Sequence, residues 1–404
     1  MRNARLWRLI AGALSSPWTL FTVAFLVRVI VAGQLLPAHA ARGFYEQNEP
    51  ARIAWNVVSG KGFSSPWPHT PLAPTAQQPP VYPYLLAGIF KLTGPYTYTS
   101  LCLAVALNAI FSALTAVLIL KLGKRWFGPF VAVVAAWIWA LWLYEVVVSI
   151  RLWESALSGL LLVLGLWLLG KLSDAAAMPH WLLFGGLAGV AALTNTTLLP
   201  VFACCWVWLW IVQRGASRKP WLASVAICLL VLAPWTLRNY ATFHRLIPVR
   251  DNFGLELWIG NHEGVTHLYD FRGGFPLVDP TEYNQLGEIR FMESKRAVAM
   301  EFIRQHPGEF VRLCGQRLVS FWTAPNAFVW LPISLLAGLG AMLALWRKGI
   351  GVAPYAIGLG IFPLVYYVTH PWSTYRHPIE PVMILLAVYA VSEVGNVLRV
   401  RKSL

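Results

Sequence analysis

The amino-acid sequence predicts an all-α protein that crosses a membrane many times. Of its 404 residues, 57% are hydrophobic and 12% are charged, whereas soluble proteins carry about 25% charged residues. Trp, Tyr and Phe together make up 14% of the chain, and amphipathic rings collect at membrane interfaces. Long apolar stretches recur along the sequence, and most have the length that a helix needs to cross a bilayer. These three observations exclude an ordinary soluble protein.

Ten apolar stretches are predicted to form the membrane-spanning helices, namely 17–36, 98–120, 129–148, 153–170, 181–197, 198–213, 221–237, 328–346, 351–368 and 379–397. The fifth and sixth are the weakest, because they adjoin at 194–197. They are either two helices joined by a tight outer turn or one broken, re-entrant element. An even number of spans places both termini on the same side of the membrane.

The distribution of positive charge predicts which side that is, since Lys and Arg are retained in the cytoplasm. With the amino terminus inside, the inner loops and both termini hold fifteen Lys and Arg against Asp174, whereas the short outer loops hold only Arg151 and Arg376. The net charge of +15 is therefore a signal of topology rather than of nucleic-acid binding. We expect a multi-pass membrane protein with cytoplasmic termini and lipid as its surroundings.

The first span has an alternative interpretation as a cleaved signal peptide. A basic start, an apolar run and Ala38-His39-Ala40 resemble such a peptide and its cleavage site. The apolar run is long for a signal peptide and contains Arg28, which favours an uncleaved helix.

The domain organisation follows from two longer segments outside the spans, both on the predicted outer face. A transmembrane module, 1–238, contains the first outer loop, 37–97, with short helices expected at 49–58 and 81–93. A small extracytoplasmic segment, 239–327, contains ten of the seventeen acidic residues and ends in two amphipathic helices. The first of these begins at Asp279-Pro280, an N-cap followed by Pro at N1. The last helices lie in 328–404.

Three acidic residues are candidates for chemistry, because carboxylates near a membrane are costly unless they serve a function. Glu46 and Glu49 follow the first span, where a carboxylate could act as a general base. Alternatively, Asn48 caps a helix and Glu49 merely occupies its first turn. Glu154 begins an apolar helix and either pairs with Arg151 or helps to hold a cation or an acceptor.

Arginines at the outer ends of spans are candidates for phosphate binding. Arg238 and Arg376 lie at the depth of lipid headgroups, where a guanidinium group can bind phosphate oxygens or simply reach toward the headgroups. The segment 250–256 contains Arg250, Asn252 and Glu256. Such polar clusters form turns, but they could also bind sugar hydroxyls.

Other catalytic classes are disfavoured by missing patterns. The five cysteines lack metal-ligand spacing and mostly lie in apolar runs, so neither a disulfide scaffold nor a zinc module is expected. The chain has no zincin, nucleophile-elbow or P-loop pattern. It has no internal repeat either, which weighs against transporters built from duplicated halves.

Several of these motifs, in this order, resemble the bacterial GT-C glycosyltransferases. The likeness rests on the acid before Ile53-Ala54, the stretch Pro79–Leu92, the segment 234–261 and the segment 375–381 before the last span. More narrowly, the chain is similar to the protein-mannosyltransferase and aminoarabinose-transferase group, glycosyltransferase families 39 and 83.

The resemblance implies an enzyme that takes a sugar from a polyprenyl-phosphate carrier on the outer face, normally with inversion. It implies that Glu49 activates the acceptor, that Glu154 is the acid of the second outer loop, and that Arg376 faces the lipid phosphate. Glu46, Arg52 and Tyr82 are then further candidates for substrate contacts.

One departure from the family concerns the carrier phosphate. Many relatives have Lys-Pro where this chain has Gln78-Pro79, and a neutral Gln cannot neutralise a phosphate. Arg52, Lys61, Arg238 or Arg250 would then have to help.

We therefore predict a GT-C-like glycosyltransferase with about ten spans, outer amphipathic helices and a small extracytoplasmic segment. The acceptor is left open among lipid, glycan and protein, and no cofactor is specified, although outer carboxylates could bind a divalent cation. The alternatives are a non-enzymatic polyprenol-sugar transporter or lipid-binding subunit, and an enzyme like an O-antigen ligase or polymerase.

Overall fold

A computed structural model of the protein describes residues 12–41, 48–67, 70–174, 177–215, 217–265 and 279–402. Within these ranges the chain forms helices, turns and loops, and the β pairing there is a single isolated bridge between Ser64 and Pro74. The predicted all-α class is confirmed. The candidate Glu46 lies outside the described residues.

The α-helices of the described ranges are, in chain order, α1 Pro17–Ala41, α2 Glu49–Val58, α3 Val81–Thr93, α4 Tyr98–Trp126, α5 Pro129–Leu141, α6 Leu143–Ser149, α7 Ser155–Leu172, α8 Met178–Ala192, α9 Leu198–Val212, α10 Lys219–Phe243, α11 Phe253–Gly260, α12 Pro280–Gln305, α13 Pro307–Thr323, α14 Ala327–Lys348, α15 Ala353–Ile361, α16 Leu364–Val368 and α17 Glu380–Lys402. Short 3₁₀ turns occupy Gly349–Val352 and His377–Ile379.

Each of the ten predicted spans coincides with helix, but their lengths differ. By length and composition, six helical stretches among the described residues could cross a membrane, or seven if α5 and α6, bent by 61°, count as one span. The stretch Ala327–Val368 is 42 residues long, about 63 Å of helix at 1.5 Å per residue, or twice the thickness of a hydrocarbon core. Multiple spans are thus confirmed, and the number ten stays a prediction.

The fifth and sixth predicted spans form two separate helices, α8 and α9. The turn between them is closed by Asn195, whose side-chain oxygen accepts hydrogen bonds from the backbone nitrogen and the hydroxyl of Thr197. Each helix has 15 residues, or about 22 Å, which is shorter than a typical bilayer core.

Close helix contacts in the apolar interior depend on glycine. Gly185 and Gly189 of α8 face α10, and a Cβ atom on Gly185 would lie 2.1 Å from the carbonyl oxygen of Ser224. This is the small-residue spacing that lets membrane helices approach closely. An alanine at either position would force α8 and α10 apart.

The predicted inner loops meet at one end of the molecule. Side chains join them in the pairs Lys124–Ser15, Arg125–Asp174, Gln213–Leu172 and Trp208–Ile350. The predicted outer segments meet one another elsewhere, through the pairs Asn48–Leu152, Val81–Leu193 and Asp251–Ala76. These contacts join inner loops with inner loops and outer segments with outer segments, and the side of the membrane that each set faces stays a prediction.

The short helices outside the spans begin where the sequence predicted. Asn48 caps α2 by accepting a hydrogen bond from the backbone nitrogen of Ala51, and Asp279 caps α12 in the same way toward Thr281. Helix α13 follows the break at His306-Pro307. These helices bring the candidate residues to one end of the molecule.

Candidate functional site

Glu49 lies at the start of α2, which the outer loops hold against the start of α7. The Asn48 side chain donates to the carbonyl oxygen of Leu152 at 2.7 Å, so the turn before α2 is tied to the loop that carries Glu154. Burial raises the pKa of Glu49 to about 7, and the charge of Glu256 adds to the rise, while Gln78, Arg250 and Arg52 oppose it. Glu49 can therefore gain or lose a proton near neutral pH.

Gln78 is the direct partner of Glu49. Its side-chain nitrogen donates a hydrogen bond to Oε2 of Glu49. Gln78 itself is buried. Gln78, at the position where the resemblance led us to expect a lysine, thus holds an acid here.

Glu154 precedes α7 and lies in the same electrostatic environment. Burial raises its pKa to about 7, and the charge of Glu49 adds to the rise, while the Glu154 backbone and the positive charge of Arg250 lower it. The two acids therefore influence each other across the space between α2 and α7. The predicted alternative, a pair between Arg151 and Glu154, does not form among the described side chains.

Arg250 is the cation common to these acids. Its charge lowers the pKa of both Glu49 and Glu154, and its Nη2 lies 3.6 Å from Oε1 of Glu256. Nε donates to the carbonyl oxygen of Gln77 at 3.0 Å, so the guanidinium group is fixed by the segment that carries Gln78. Its remaining hydrogen-bond donors point to no other described side chain.

The carboxylate of Glu256, in α11, lies beside three other side chains. Asn252 donates to Oε1 of Glu256, Arg250 lies beside the same oxygen, and Nδ1 of His370 lies 3.5 Å from Oε2. The predicted site residues Arg250, Asn252 and Glu256 are thus brought together. His370, which the sequence analysis did not single out, joins them.

The segment 75–78 is held in place by a buried acid of α12. Glu288 accepts hydrogen bonds from the Thr75 hydroxyl, from the backbone nitrogen of Ala76 at 2.6 Å and from the Tyr283 hydroxyl at 3.0 Å. Since this segment positions Gln78, Glu288 supports Glu49 from a distance. Sequence alone gave no signal for it, because a glutamate within a polar helix is unremarkable until the fold buries it.

Arg238 supports the same segment from the other side. It donates to the carbonyl oxygens of Thr75 at 2.7 Å and Phe63 at 3.0 Å, and its guanidinium carbon lies 4.9 Å from the ring of Trp235. The predicted role in phosphate binding is untested. In this arrangement Arg238 anchors the first outer loop to α10.

Arg376 lies away from Glu49 and Glu154, in the fully buried interior. Its Nε donates to Glu380 at 3.0 Å, and its terminal nitrogens donate to the carbonyl oxygens of Phe321 and Ala324 at the end of α13. The group is 1% exposed and stacks on Trp330 at 3.8 Å. The structure therefore shows Arg376 as a link between the last span and α13, and the predicted contact with a lipid phosphate stays untested.

Beside Arg376 lies the one group of described residues whose ligand atoms converge as metal ligands do. Nδ1 of His377 is 2.9 Å from Glu145 and 3.1 Å from Glu380. Arg376 pairs with Glu380, and the charge of Arg28 acts on Glu145. Two arginines thus already accompany the two carboxylates, which weakens the attraction of this cluster for a divalent ion. The predicted divalent cation at the outer acids stays a prediction.

Two further candidates lie close to the acids. The Tyr82 hydroxyl accepts a hydrogen bond from Asn108 at 2.9 Å, and burial raises its pKa beyond the ordinary range, with the charge of Glu154 adding to the rise. Arg52 of α2 donates to the carbonyl oxygen of Pro66 at 3.3 Å and acts on Glu49 by its charge. Both therefore border the site.

Comparisons with known proteins agree with this fold. Residues 77–237 match the family model described as dolichyl-phosphate-mannose-protein mannosyltransferase. The apo oligosaccharyltransferase of Archaeoglobus fulgidus is similar in structure, with a TM-score of 0.56 and 12% identity, over 96% of this chain and 51% of that chain. The same archaeal protein in complex with Zn and sulfate gives a TM-score of 0.52 and 14% identity, over 88% and 46%.

A third solved structure, ArnT from Cupriavidus metallidurans bound to undecaprenyl phosphate, gives a TM-score of 0.37 and 15% identity, over 89% of this chain and 78% of that chain. This value is too low to relate the two folds. No curated protein sequence matches the chain. The chain spans about half the length of the archaeal oligosaccharyltransferase that it resembles.

The fold is that of a polytopic, all-α membrane protein similar to the archaeal oligosaccharyltransferase, and both comparisons support the predicted resemblance to the GT-C membrane glycosyltransferases. The region that matches the mannosyltransferase family model, 77–237, is less than half of the chain. It includes Gln78, Tyr82 and Glu154, but neither Glu49 nor Arg250.

Proposed function

We propose that this protein transfers a sugar from a polyprenyl-phosphate-linked donor to an acceptor nucleophile, with inversion, on the outer face of a bacterial cytoplasmic membrane. The observation that carries the proposal is the convergence of Glu49, Glu154 and Arg250 from three separate segments. Transfer from a lipid phosphate needs a base for the acceptor and a cation for the leaving group. This site supplies both.

Glu49 is the proposed general base. Its carboxylate takes the proton from the acceptor hydroxyl or amine, while the acceptor oxygen or nitrogen forms a bond with the anomeric carbon. The bond between that carbon and the phosphate oxygen breaks, and the electron pair leaves with the polyprenyl phosphate. A base whose pKa is near 7 is well matched to this task. Glu154 fixes the acceptor or the sugar on the opposite side.

Arg250 is the proposed ligand of the departing phosphate. It is fixed by Gln77 and Glu256, so its charge is aimed before the donor arrives, and such preorganised charge stabilises a leaving group most strongly. Arg238 and Arg376 are fully engaged by backbone carbonyls or Glu380. Arg52 is the second guanidinium group near Glu49 and could share the phosphate.

The test is sugar transfer by the purified full chain in lipid nanodiscs. The donors are polyprenyl phosphates carrying different radiolabelled sugars, and the readout is release of free polyprenyl phosphate together with label in the acceptor. Glu49→Gln should lower kcat by about 10²- to 10⁴-fold, the usual contribution of a general base. Glu301→Gln is the matched control, because Glu301 is an exposed acid of α12.

Full activity of a folded Glu49→Gln variant would remove Glu49 as the base. If Glu49→Gln and Glu154→Gln both retain biological activity, a transporter or lipid-binding subunit is the better assignment, since neither needs the acids. No release of polyprenyl phosphate from any donor by the native protein would contradict the proposal itself.

A further inference from the structure

A histidine outside every motif lies against the site. His370 follows α16 and is 4% exposed, with Nδ1 at 3.5 Å from Oε2 of Glu256. Its ring centroid is 5.8 Å from that of Tyr375. A buried polar ring beside a carboxylate of the site needs a reason, because burying an imidazole is costly unless it is hydrogen-bonded.

The backbone before His370 is fixed against α11 by close packing. Gly260 ends α11, and a Cβ atom there would lie 1.9 Å from the carbonyl oxygen of Thr369. Glu256 and Gly260 are four residues apart and therefore lie on the same face of the helix. The face that carries Glu256 is thus pressed against the residue that precedes His370.

An arginine and an asparagine lock this contact. Arg317 of α13 is 2% exposed and donates to the carbonyl oxygens of Gly260 and Val368 and to the side chain of Asn261. Asn261 in turn donates to the carbonyl oxygen of Val368 at 2.9 Å. The end of α11 and the residues before His370 therefore form one unit, which fixes the distance between His370 and Glu256.

We propose that His370 is a positioning residue, which holds Glu256 where its charge acts on Glu49 and on Arg250. The proposal rests on the proposed glycosyl transfer. Nδ1 of the neutral His370 ring faces Oε2 at 3.5 Å, while Asn252 and Arg250 occupy Oε1. All three contacts are needed, because a carboxylate held at one oxygen can rotate about its last bond.

Displacement of Glu256 should lower the pKa of Glu49. The charge of Glu256 raises the pKa of Glu49, so a Glu256 that swings away leaves Glu49 a weaker base with a lower pKa. The charged and titratable groups that face His370 are Glu256 of α11 and Arg317 of α13, with Tyr375 beside its ring. Burial lowers the pKa of His370 itself, which keeps the ring neutral when Glu49 titrates.

The experiment compares His370→Ala with His370→Asn, whose side-chain nitrogen can replace Nδ1. We expect His370→Ala to lower kcat by about 10- to 100-fold, the range for a displaced catalytic group, with the KM of the acceptor unchanged. The acid limb of the kcat/KM profile should move to lower pH. His370→Asn should restore most of the rate, and His306→Ala, a change at an exposed histidine between α12 and α13, should change neither quantity.

A loss of activity without any movement of the acid limb, or without rescue by His370→Asn, would overturn the positioning role. A second measurement does not depend on activity. In a double-mutant cycle of thermal unfolding with Glu256→Gln and His370→Ala, the two losses should be less than additive because the residues are in contact. Additive losses would contradict the contact, whereas a native protein without transferase activity would contradict only the proposed function.

Discussion

Gln78 donates a hydrogen bond to Oε2 of Glu49. The contact joins two residues that the sequence had linked only to separate tasks, an acid for the acceptor and a neutral substitute for a phosphate-binding lysine. Since the donor favours the charged carboxylate, it lowers the pKa of Glu49 against the effect of burial. The site is therefore tuned by an amide where a cation was expected.

Replacing Gln78 should shift the pH dependence of the reaction. In Gln78→Leu the hydrogen bond is lost, the pKa of Glu49 rises above about 7, and the acid limb of the kcat/KM profile moves to higher pH. The loss of rate should be greatest at low pH and should recover in alkaline buffer. In Gln78→Lys the limb should move the other way, because a positive charge favours the carboxylate. Identical limbs in both variants would mean that Gln78 does not act on the base.

The native enzyme should lose activity as the pH falls through about 7, where both Glu49 and Glu154 take up a proton. The sign follows from the mechanism, since a protonated carboxyl cannot accept a proton. The measurement is the initial rate of polyprenyl phosphate release from pH 5 to 9 at fixed ionic strength. A rate that increases toward acid would require a protonated group in the role assigned to Glu49.

Replacing each arginine by alanine should distinguish those that bind the donor from those that stabilise the fold. Arg250→Ala should raise the KM of the donor by about 10- to 100-fold, since a hydrogen bond to a charged group contributes roughly 1.5–3 kcal/mol. Arg238→Ala should instead lower the melting temperature, because the carbonyl oxygen of Thr75 loses the Arg238 donor and that of Phe63 keeps only the backbone nitrogen of Thr75. Donor titrations measure the KM, and thermal unfolding of the same preparations measures the melting temperature. A large change in donor KM for Arg376→Ala in a stable protein would restore the assignment based on resemblance.

Glu288 should affect both stability and rate, although it lies away from the reacting groups. Glu288→Ala leaves the Thr75 hydroxyl, the Ala76 backbone nitrogen and the Tyr283 hydroxyl without their acceptor, at a cost of about 1–3 kcal/mol for each buried group. The freed segment 75–78 should also lower kcat through Gln78. The free energy of unfolding, measured by chemical denaturation, and kcat should therefore both fall. Unchanged turnover in a destabilised protein would show that the segment keeps its position without Glu288.

The sequence predicted the helices well because their signals are local. Apolar length, proline at the first turn and caps such as Asn48 and Asp279 act within a few residues, and all of them placed helices correctly. The site was predicted only in part. Whether an arginine is available to bind phosphate depends on carbonyl oxygens far away in the chain. Arg376, for example, donates to Phe321 and Ala324, and no local sequence pattern predicts such contacts. His370 and Glu288 were missed for the same reason, since the partners that tie them to the site, Glu256 for His370 and Thr75 and Ala76 for Glu288, are more than a hundred residues away.

Variants of the buried cluster around Arg376 test whether this arginine is structural or binds the donor. Arg376 and Glu380 are 1% and 0% exposed, so removal of either partner breaks a buried ion pair, at a cost of about 3–5 kcal/mol. Replacing both by apolar residues of similar volume, Arg376→Met with Glu380→Leu, should cost much less than either single change. Thermal unfolding in detergent, followed by the loss of the monodisperse peak in size-exclusion chromatography, measures all three variants. If Arg376 serves only to link the last span to α13, the double variant should also keep the donor KM of the native enzyme. A stable double variant that no longer binds polyprenyl phosphate would instead show that the buried guanidinium group turns toward the carrier during the reaction.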